Sequence, residues 1–207
     1  MSQYKDYGFL NEDATHMHKD IYVPLIKHLS HFRDKSILDL GCGNGSLVRF
    51  LVDKGFDAYG TDASVKGIEI AQKAHPTRFA LQNLEEQDLP KTFDLIPFKC
   101  IISTEVIEHL YDPRTFIAFC KKALMKQGGG QLILTTPYHG YLKNLLLSIT
   151  NHWDTHQNPL WDGGHIKMWS KNTLTKLLEE FDFKVIAFEG CGRTPYLWKS
   201  MMIIAKI

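Results

Sequence analysis

The sequence predicts an α/β protein: a Rossmann-like, seven-stranded, mostly parallel sheet with an antiparallel last strand and helices on both faces. Three observations carry that expectation. Short apolar runs of strand length alternate with longer amphipathic runs from residue 36 to residue 180, the pattern of right-handed βαβ units. The first of these runs ends in Gly41-Cys-Gly43-Asn-Gly45, a glycine loop with a helical pattern directly behind it. The last two runs, 183–189 and 200–206, leave no room for a helix between them, so they form a hairpin that places a reversed strand at the sheet edge.

Taken in order, an amphipathic stretch over 21–29 precedes the first strand, and residues 1–35 read as N-terminal cap helices. Strand 36–40 (SILDL) leads into a helix over 47–54 that Gly55 ends, then strand 58–62 and a helix over 65–75 that Pro76 closes. Strands follow at 79–82 and 100–103. Ser103 or Thr104 is a ready N-cap for a short helix through 105–110. A helix over 113–126 stops at Gly128-Gly129-Gly130, and strand 131–136 comes next. Residues 137–169 form an insert that leaves the sheet at its carboxyl edge, where ligands bind in such sheets, and a helix over 170–180 precedes the hairpin. The whole of 1–207 reads as one domain.

Composition narrows the class. Of 207 residues 44% are hydrophobic and 23% charged, an ordinary globular balance. Twenty-four basic residues against 23 acidic ones give a formal charge of +1, so no nucleic-acid partner is expected. There is no apolar leader and no bilayer-length run, and Cys42, Cys100, Cys120 and Cys191 contain no CxxC pair; reduced thiols in a cytoplasm are the expectation.

The glycine loop suits a nucleotide, and two residues indicate which kind. A dinucleotide fingerprint would place its third glycine at position 46, which is Ser46. Asp39, beside the loop, suits the ammonium of an amino acid and repels a pyrophosphate, while Asp62 ends the second strand where a carboxylate takes ribose hydroxyls. The run Ile37-Leu-Asp-Leu-Gly-Cys-Gly-Asn-Gly45 resembles motif I of the class I S-adenosylmethionine (SAM)-dependent methyltransferases. Tyr59-Gly-Thr-Asp62-Ala-Ser64 and Leu124-Met-Lys-Gln-Gly-Gly-Gly130 resemble later motifs of the same family. The resemblance implies that Asp39, Gly41 and Gly43 hold the methionine moiety, Asp62 the ribose, and Asn83 and Leu84 the adenine edge. Cys42 and Ala63 belong to the same wall, and Ser103 lines it through its backbone. Tyr4, Tyr7 and Phe9 are then expected to fold over the pocket, since a sulfonium gains from an aromatic face.

Glu105, Glu108 and His109 stand at i, i+3 and i+4, which puts two carboxylates and an imidazole on one face of a helix. First-turn acids also complement a helix dipole, and that alternative stays open. Two oxygens and a nitrogen make half an octahedral site for Mg²⁺ or Mn²⁺. The segment Glu105-Val-Ile-Glu-His109 resembles the E-x-x-E-H signature of the ubiquinone-biosynthesis O-methyltransferases and of the plant-type small-RNA 2′-O-methyltransferases. In the latter a histidine in an H-x-x-x-W context completes the site, and His165-Ile-Lys-Met-Trp169 matches it, so the resemblance adds His165 as a fourth ligand. His152, Trp153, His156 and Trp161 make the insert suitable lining for a substrate hydroxyl and its ring, and His139, nearest the sheet, is the candidate general base.

These residues together predict SAM-dependent methylation of a hydroxyl on a small-molecule or glycan acceptor, such as a sugar or a quinol or catechol, assisted by a divalent cation. A small-RNA ribose methyltransferase, a metal-free methyltransferase and a non-catalytic SAM-binding subunit remain the alternatives.

Overall fold

Seven strands form one sheet in the order β3-β2-β1-β4-β5-β7-β6. They are β1 (Ser36–Leu40), β2 (Asp57–Asp62), β3 (Phe79–Leu81), β4 (Phe98–Thr104), β5 (Gln131–Pro137), β6 (Lys184–Cys191) and β7 (Ser200–Lys206). The computed structural model describes residues 8–14, 16–84, 88–157, 159–161 and 163–207. Pairings from β3 through β5 are parallel, and β7 is antiparallel to both β5 and β6. The reversed strand therefore lies one position in from the edge expected of it. Its side chains explain the exchange: β7 is buried along nearly its whole length, whereas β6, with Lys184 and Glu189, is exposed or half-buried up to its last residue, so the less apolar partner takes the edge.

Side-chain alternation divides the core into two layers. Leu38, Leu40, Ile101, Leu132, Leu134 and Ile203 point to one face, where Phe116, Ile117 and Leu124 of α4 (Pro113–Met125) and Leu174, Leu177 and Leu178 of α7 (Lys171–Glu179) cover them. Ile37, Ile102, Ile133 and Ile204 point to the other. That layer holds Ile21, Leu25 and Leu29 of α1 (His16–Leu29), Leu47, Val48 and Leu51 of α2 (Ser46–Asp53), and Ile68 and Ala71 of α3 (Val65–Ala74). All four cysteines are buried free thiols. Among the described residues, no helix is long and apolar enough to cross a membrane.

Two local readings change. No helix begins at Ser103 or Thr104; residues 107–109 form a single 3₁₀ turn, Ile107–His109. The Glu105 backbone N–H is taken by the Thr135 carbonyl at 3.1 Å, so β5 holds the chain extended where the helix would start. The Ser103 hydroxyl donates to the Leu40 carbonyl at 2.7 Å instead of capping. Glu105 consequently carries φ 56°, a left-handed conformation that a non-glycine residue adopts only when its surroundings impose it. The insert, in turn, contains α5 (Tyr141–Ile149) and the short α6 (Trp153–Gln157). Leu142, Leu145, Leu146 and Ile149 of α5 are exposed, so its sequence lacks the polar face that marks a surface helix.

Candidate active site

The carboxyl ends of β1, β2, β4 and β5 open on one cavity of about 1620 Å³, above the range of a pocket for one drug-sized molecule. The strand order reverses between β1 and β4, and the glycine loop crosses there. Gly41 N and Cys42 N both donate to the Thr61 carbonyl, at 2.8 and 2.9 Å, which pins the loop to β2. Gly41 has φ 81°, and a Cβ there would meet the Val106 side chain at 2.5 Å. Gly43 has φ 55°, and its Cβ would strike the Phe9 ring, also at 2.5 Å.

Gly41, Cys42, Gly43, Asp62, Ala63, Asn83 and Leu84 all line the cavity, as the motif resemblance implies. The Asp62 carboxylate accepts from Gly43 N and Ser64 N, each at 2.7 Å, so it braces the loop and the start of α3 as well. A carboxylate has about four acceptor sites, so ribose hydroxyls can still be taken. Asp39 and Ser103 lie behind the lining. Asp39 is 1% exposed and neither of its oxygens has a hydrogen-bond partner. Burial, with the charge of Asp62 beside it, pushes its carboxyl up to about 8. A buried acid left in that state fits a ligand ammonium.

Phe9 forms part of the cavity wall. The segment carrying it is tied down by Asn44, whose Nδ2 donates to the carbonyls of Asn11 and Asp13 at 2.9 Å, and by Arg49, which reaches the Glu12 carbonyl. Tyr4 and Tyr7 lie outside the described residues.

At the other end of the cavity one ligand atom from each of Glu108, His109 and His165 lies within 4.8 Å of the other two. The insert is responsible for the approach of His165. Ile166 N and Lys167 N both donate to the Glu108 carbonyl at 3.0 Å, and Trp169 Nε1 reaches the Ile107 carbonyl at 3.4 Å. His109 Nδ1 donates to the Gly164 carbonyl at 3.2 Å, leaving Nε2 with its lone pair free. Glu108 is 1% exposed with both carboxylate oxygens unpartnered, and burial followed by the nearby Glu105 charge raises its pKa far above the ordinary range. His165 is pushed down to about 4 by burial and then by His109. One buried carboxylate and two neutral imidazoles, short of partners and facing each other, form a donor set for a divalent cation. Glu105 is not drawn into it: its carboxylate takes the hydroxyls of Thr135 and Ser200 at 2.9 and 3.1 Å, and burial raises it to about 7.

His152, His156 and Trp161 line the cavity, whereas Trp153 Nε1 donates to Ser148 Oγ at 2.8 Å. His139 is buried at the end of β5, its ring 5.5 Å from that of His156, and burial lowers its pKa. Lys143 and Arg193, which sequence reasoning passed over, also line the cavity. Lys143 hides in a run of leucines, and nothing in the residues around Arg193 marks it as facing a ligand.

The strand order, the glycine loop at the switch point and the acid ending β2 define the class: a Rossmann-like SAM-dependent methyltransferase, with SAM as methyl donor. The chain belongs to the family described as the methyltransferase domain, whose model matches residues 14–187. It is 36% identical over 110 residues to the ubiquinone biosynthesis O-methyltransferase of Caulobacter vibrioides, covering 50% of this chain and 42% of that protein. To the enzyme of the same name from Cereibacter sphaeroides it is 30% identical over 190 residues, covering 89% and 72%. The matched region thus spans less than half of the Caulobacter protein's length. Among solved structures, magnesium protoporphyrin IX methyltransferase from Synechocystis PCC 6803 with bound SAH shares the fold. Its TM-score is 0.65 at 19% identity, over 97% of this chain and 90% of that one. The methyltransferase domain of bacterial CtHen1-CN shares it too, with a TM-score of 0.62 at 23% identity over 92% and 100%.

Proposed function

We propose that this methyltransferase acts on a hydroxyl of a small molecule that presents two neighbouring oxygens, a sugar or glycan or a quinol or catechol, with a divalent ion assisting. The observation that carries this reading is the cluster of Glu108, His109 and His165, whose two histidines line the same cavity as the glycine loop while the Glu108 carboxylate lies buried behind them. The O-methylating activity in the names of the ubiquinone-biosynthesis relatives supports it. In this reading residues 1–35 cap the donor and residues 137–169 receive the acceptor.

Methyl transfer to oxygen is a displacement at the sulfonium carbon, so the protein's main task is to hold donor and acceptor in line. The glycine loop, Asp39 and Asp62 orient the donor, with Ala63, Asn83, Leu84 and the backbone near Ser103 bounding its nucleoside. Glu108, His109 and His165 would hold the ion, Mg²⁺ or Mn²⁺; when bound, it supplies Lewis acidity toward the acceptor hydroxyl. Glu105, held by Thr135 and Ser200, supports the turn that presents Glu108. His139, kept neutral by burial, is the proposed proton acceptor, reached from the cavity through the His156 ring.

The test is transfer of labelled methyl groups from SAM to catechol, simple ribosides and 3′-terminal RNA oligonucleotides, with and without a chelator. Labelling of catechol or riboside that vanishes in chelator and returns with Mg²⁺ or Mn²⁺ is expected. Labelling of RNA alone establishes the ribose 2′-O-methyltransferase alternative, which the E-x-x-E-H and H-x-x-x-W pattern also fits. Full activity in metal-free protein, verified by elemental analysis, removes the ion.

A further inference from the structure

We propose that the acceptor carries an anionic group, a carboxylate or a phosphate, which docks against Lys143 and Arg193 on the acceptor side of the cavity. The inference rests on the acceptor reading above and adds the chemical class of the molecule.

Lys143 sits in the first turn of α5 and is only 6% exposed, yet it lines the cavity. Its Nζ donates to the Lys199 carbonyl at 3.2 Å, the carbonyl that also accepts from Tyr138 N at 3.0 Å. That bond uses one of three ammonium donors and offers no negative charge. Among the described residues no carboxylate lies within ion-pair distance of Lys143 or of Arg193. A buried ammonium in that position is costly unless something neutralises it.

Carboxylates elsewhere along the cavity are already engaged. Asp62 braces the glycine loop, and Glu105 takes the Thr135 and Ser200 hydroxyls. Asp112 caps α4 through Arg114 N and Thr115 N, at 3.0 and 3.1 Å. The third cation of this wall, Lys199, is paired with Asp20 at 2.6 Å. Glu105 eases the Lys143 charge from beyond ion-pair distance, and no carboxylate among the described residues pairs with either cation, so Lys143 and Arg193 together leave a net positive potential on the acceptor side. It is visible in the Lys143 ammonium itself, which burial and the Arg193 charge bring down to about 8 against a smaller opposing pull from Glu105.

Arg193 follows β6 at the exposed rim, in a left-handed conformation of φ 58°, and lines the cavity. A guanidinium at the mouth and an ammonium at depth suit an oxyanion, since each offers several N–H donors. His139, His156 and His165, all near enough to feel the Lys143 charge and all with lowered pKa values, add neutral donors and acceptors without cancelling it.

The test uses two matched pairs, 3,4-dihydroxybenzoate against catechol and ribose 5-phosphate against methyl β-riboside. Each is titrated calorimetrically into protein loaded with S-adenosylhomocysteine, which cannot react. In at least one pair the anionic member should bind about tenfold tighter or more, the change that one charge-assisted hydrogen bond supplies. Which pair shows it separates carboxylate from phosphate. Arg193→Met and Lys143→Met should each cut that ratio, and circular dichroism reports whether the buried variant has folded; if Lys143→Met has not, Arg193→Met alone decides. Equal binding within both pairs, binding of neither anionic compound, or an anion preference that survives Arg193→Met overturns the proposal. An anion preference with no methylation of any compound leaves the subsite and fails the acceptor reading. Methylation of neutral and anionic members with equal kcat/KM does the reverse.

Discussion

Asp39 and Asp62 are two acids one strand apart that do different things because their surroundings differ. Asp62 has two backbone N–H groups on its carboxylate, whereas Asp39 has none and is wholly enclosed. Asp62→Ala should weaken SAM binding by about 1–3 kcal/mol, the scale of a lost charged hydrogen bond. Unchanged affinity in a variant with native circular dichroism would sink the ribose assignment. The raised carboxyl of Asp39 gives a pH prediction. In the folded chain without ligand it keeps its proton up to about 8, where an unfolded chain has lost it above its ordinary value of 3.8. This contribution favours the fold fully below that lower value and is lost as pH rises through about 8. A donor ammonium nearby reverses the preference, so SAM binding at pH 7 should expel a proton. Calorimetry in two buffers of different ionisation heat reads it directly, and zero release at pH 7 refutes the role of Asp39.

At the scale of elements, the donor end depends on a strap and the acceptor end on a clamp. Asn44 and Arg49 hold the strap over 9–13 by its backbone, so almost any sequence can be tied there; the specific part is the Phe9 ring against Gly43. Removing residues 1–10 should raise the SAM dissociation constant several-fold while the sheet stays folded, because one wall of the pocket goes with Phe9. The same affinity in the truncated chain would reduce the strap to a frayed end. The clamp is the backbone of 166–167 on the Glu108 carbonyl. It was not readable from the E-x-x-E-H spacing, which assumes a helix. The structure brings Glu108 and His109 together on a single 3₁₀ turn and turns Glu105 away, since β5 pairing takes the Glu105 N–H before a helix can form.

Over the whole molecule, the glycine loop and the histidines of the proposed ion site line different walls of one cavity, so donor and ion effects should separate. An ion that binds only the folded state stabilises it by about 2.7 kcal/mol at a hundred times its dissociation constant. In a chain of this length that corresponds to a rise in Tm of roughly 5–10 °C. Mg²⁺ or Mn²⁺ should produce such a shift in the native protein and little of it in Glu108→Ala, while SAM affinity stays close to native in both. A shift that persists in Glu108→Ala would place the ion elsewhere.

Apolar periodicity and the three alternating glycines were enough to read the seven strands and the helices α2, α3, α4 and α7 between them, and with Asp62 to point to the strand ends on which the cavity opens. Those features are local: a strand, a tight turn and a capped helix are written in neighbouring residues, and the βαβ handedness rule does the rest. The acceptor end is a product of tertiary contact. His165 meets Glu108 and His109 through backbone hydrogen bonds spanning nearly sixty residues, and only the H-x-x-x-W resemblance hinted at it. Lys143 and Arg193 come from separate elements, one on a leucine-rich helix and one after an edge strand. Nothing local marks either, because what singles them out is the lack of an ion-pair partner among the described residues, and that is a property of the folded cavity alone.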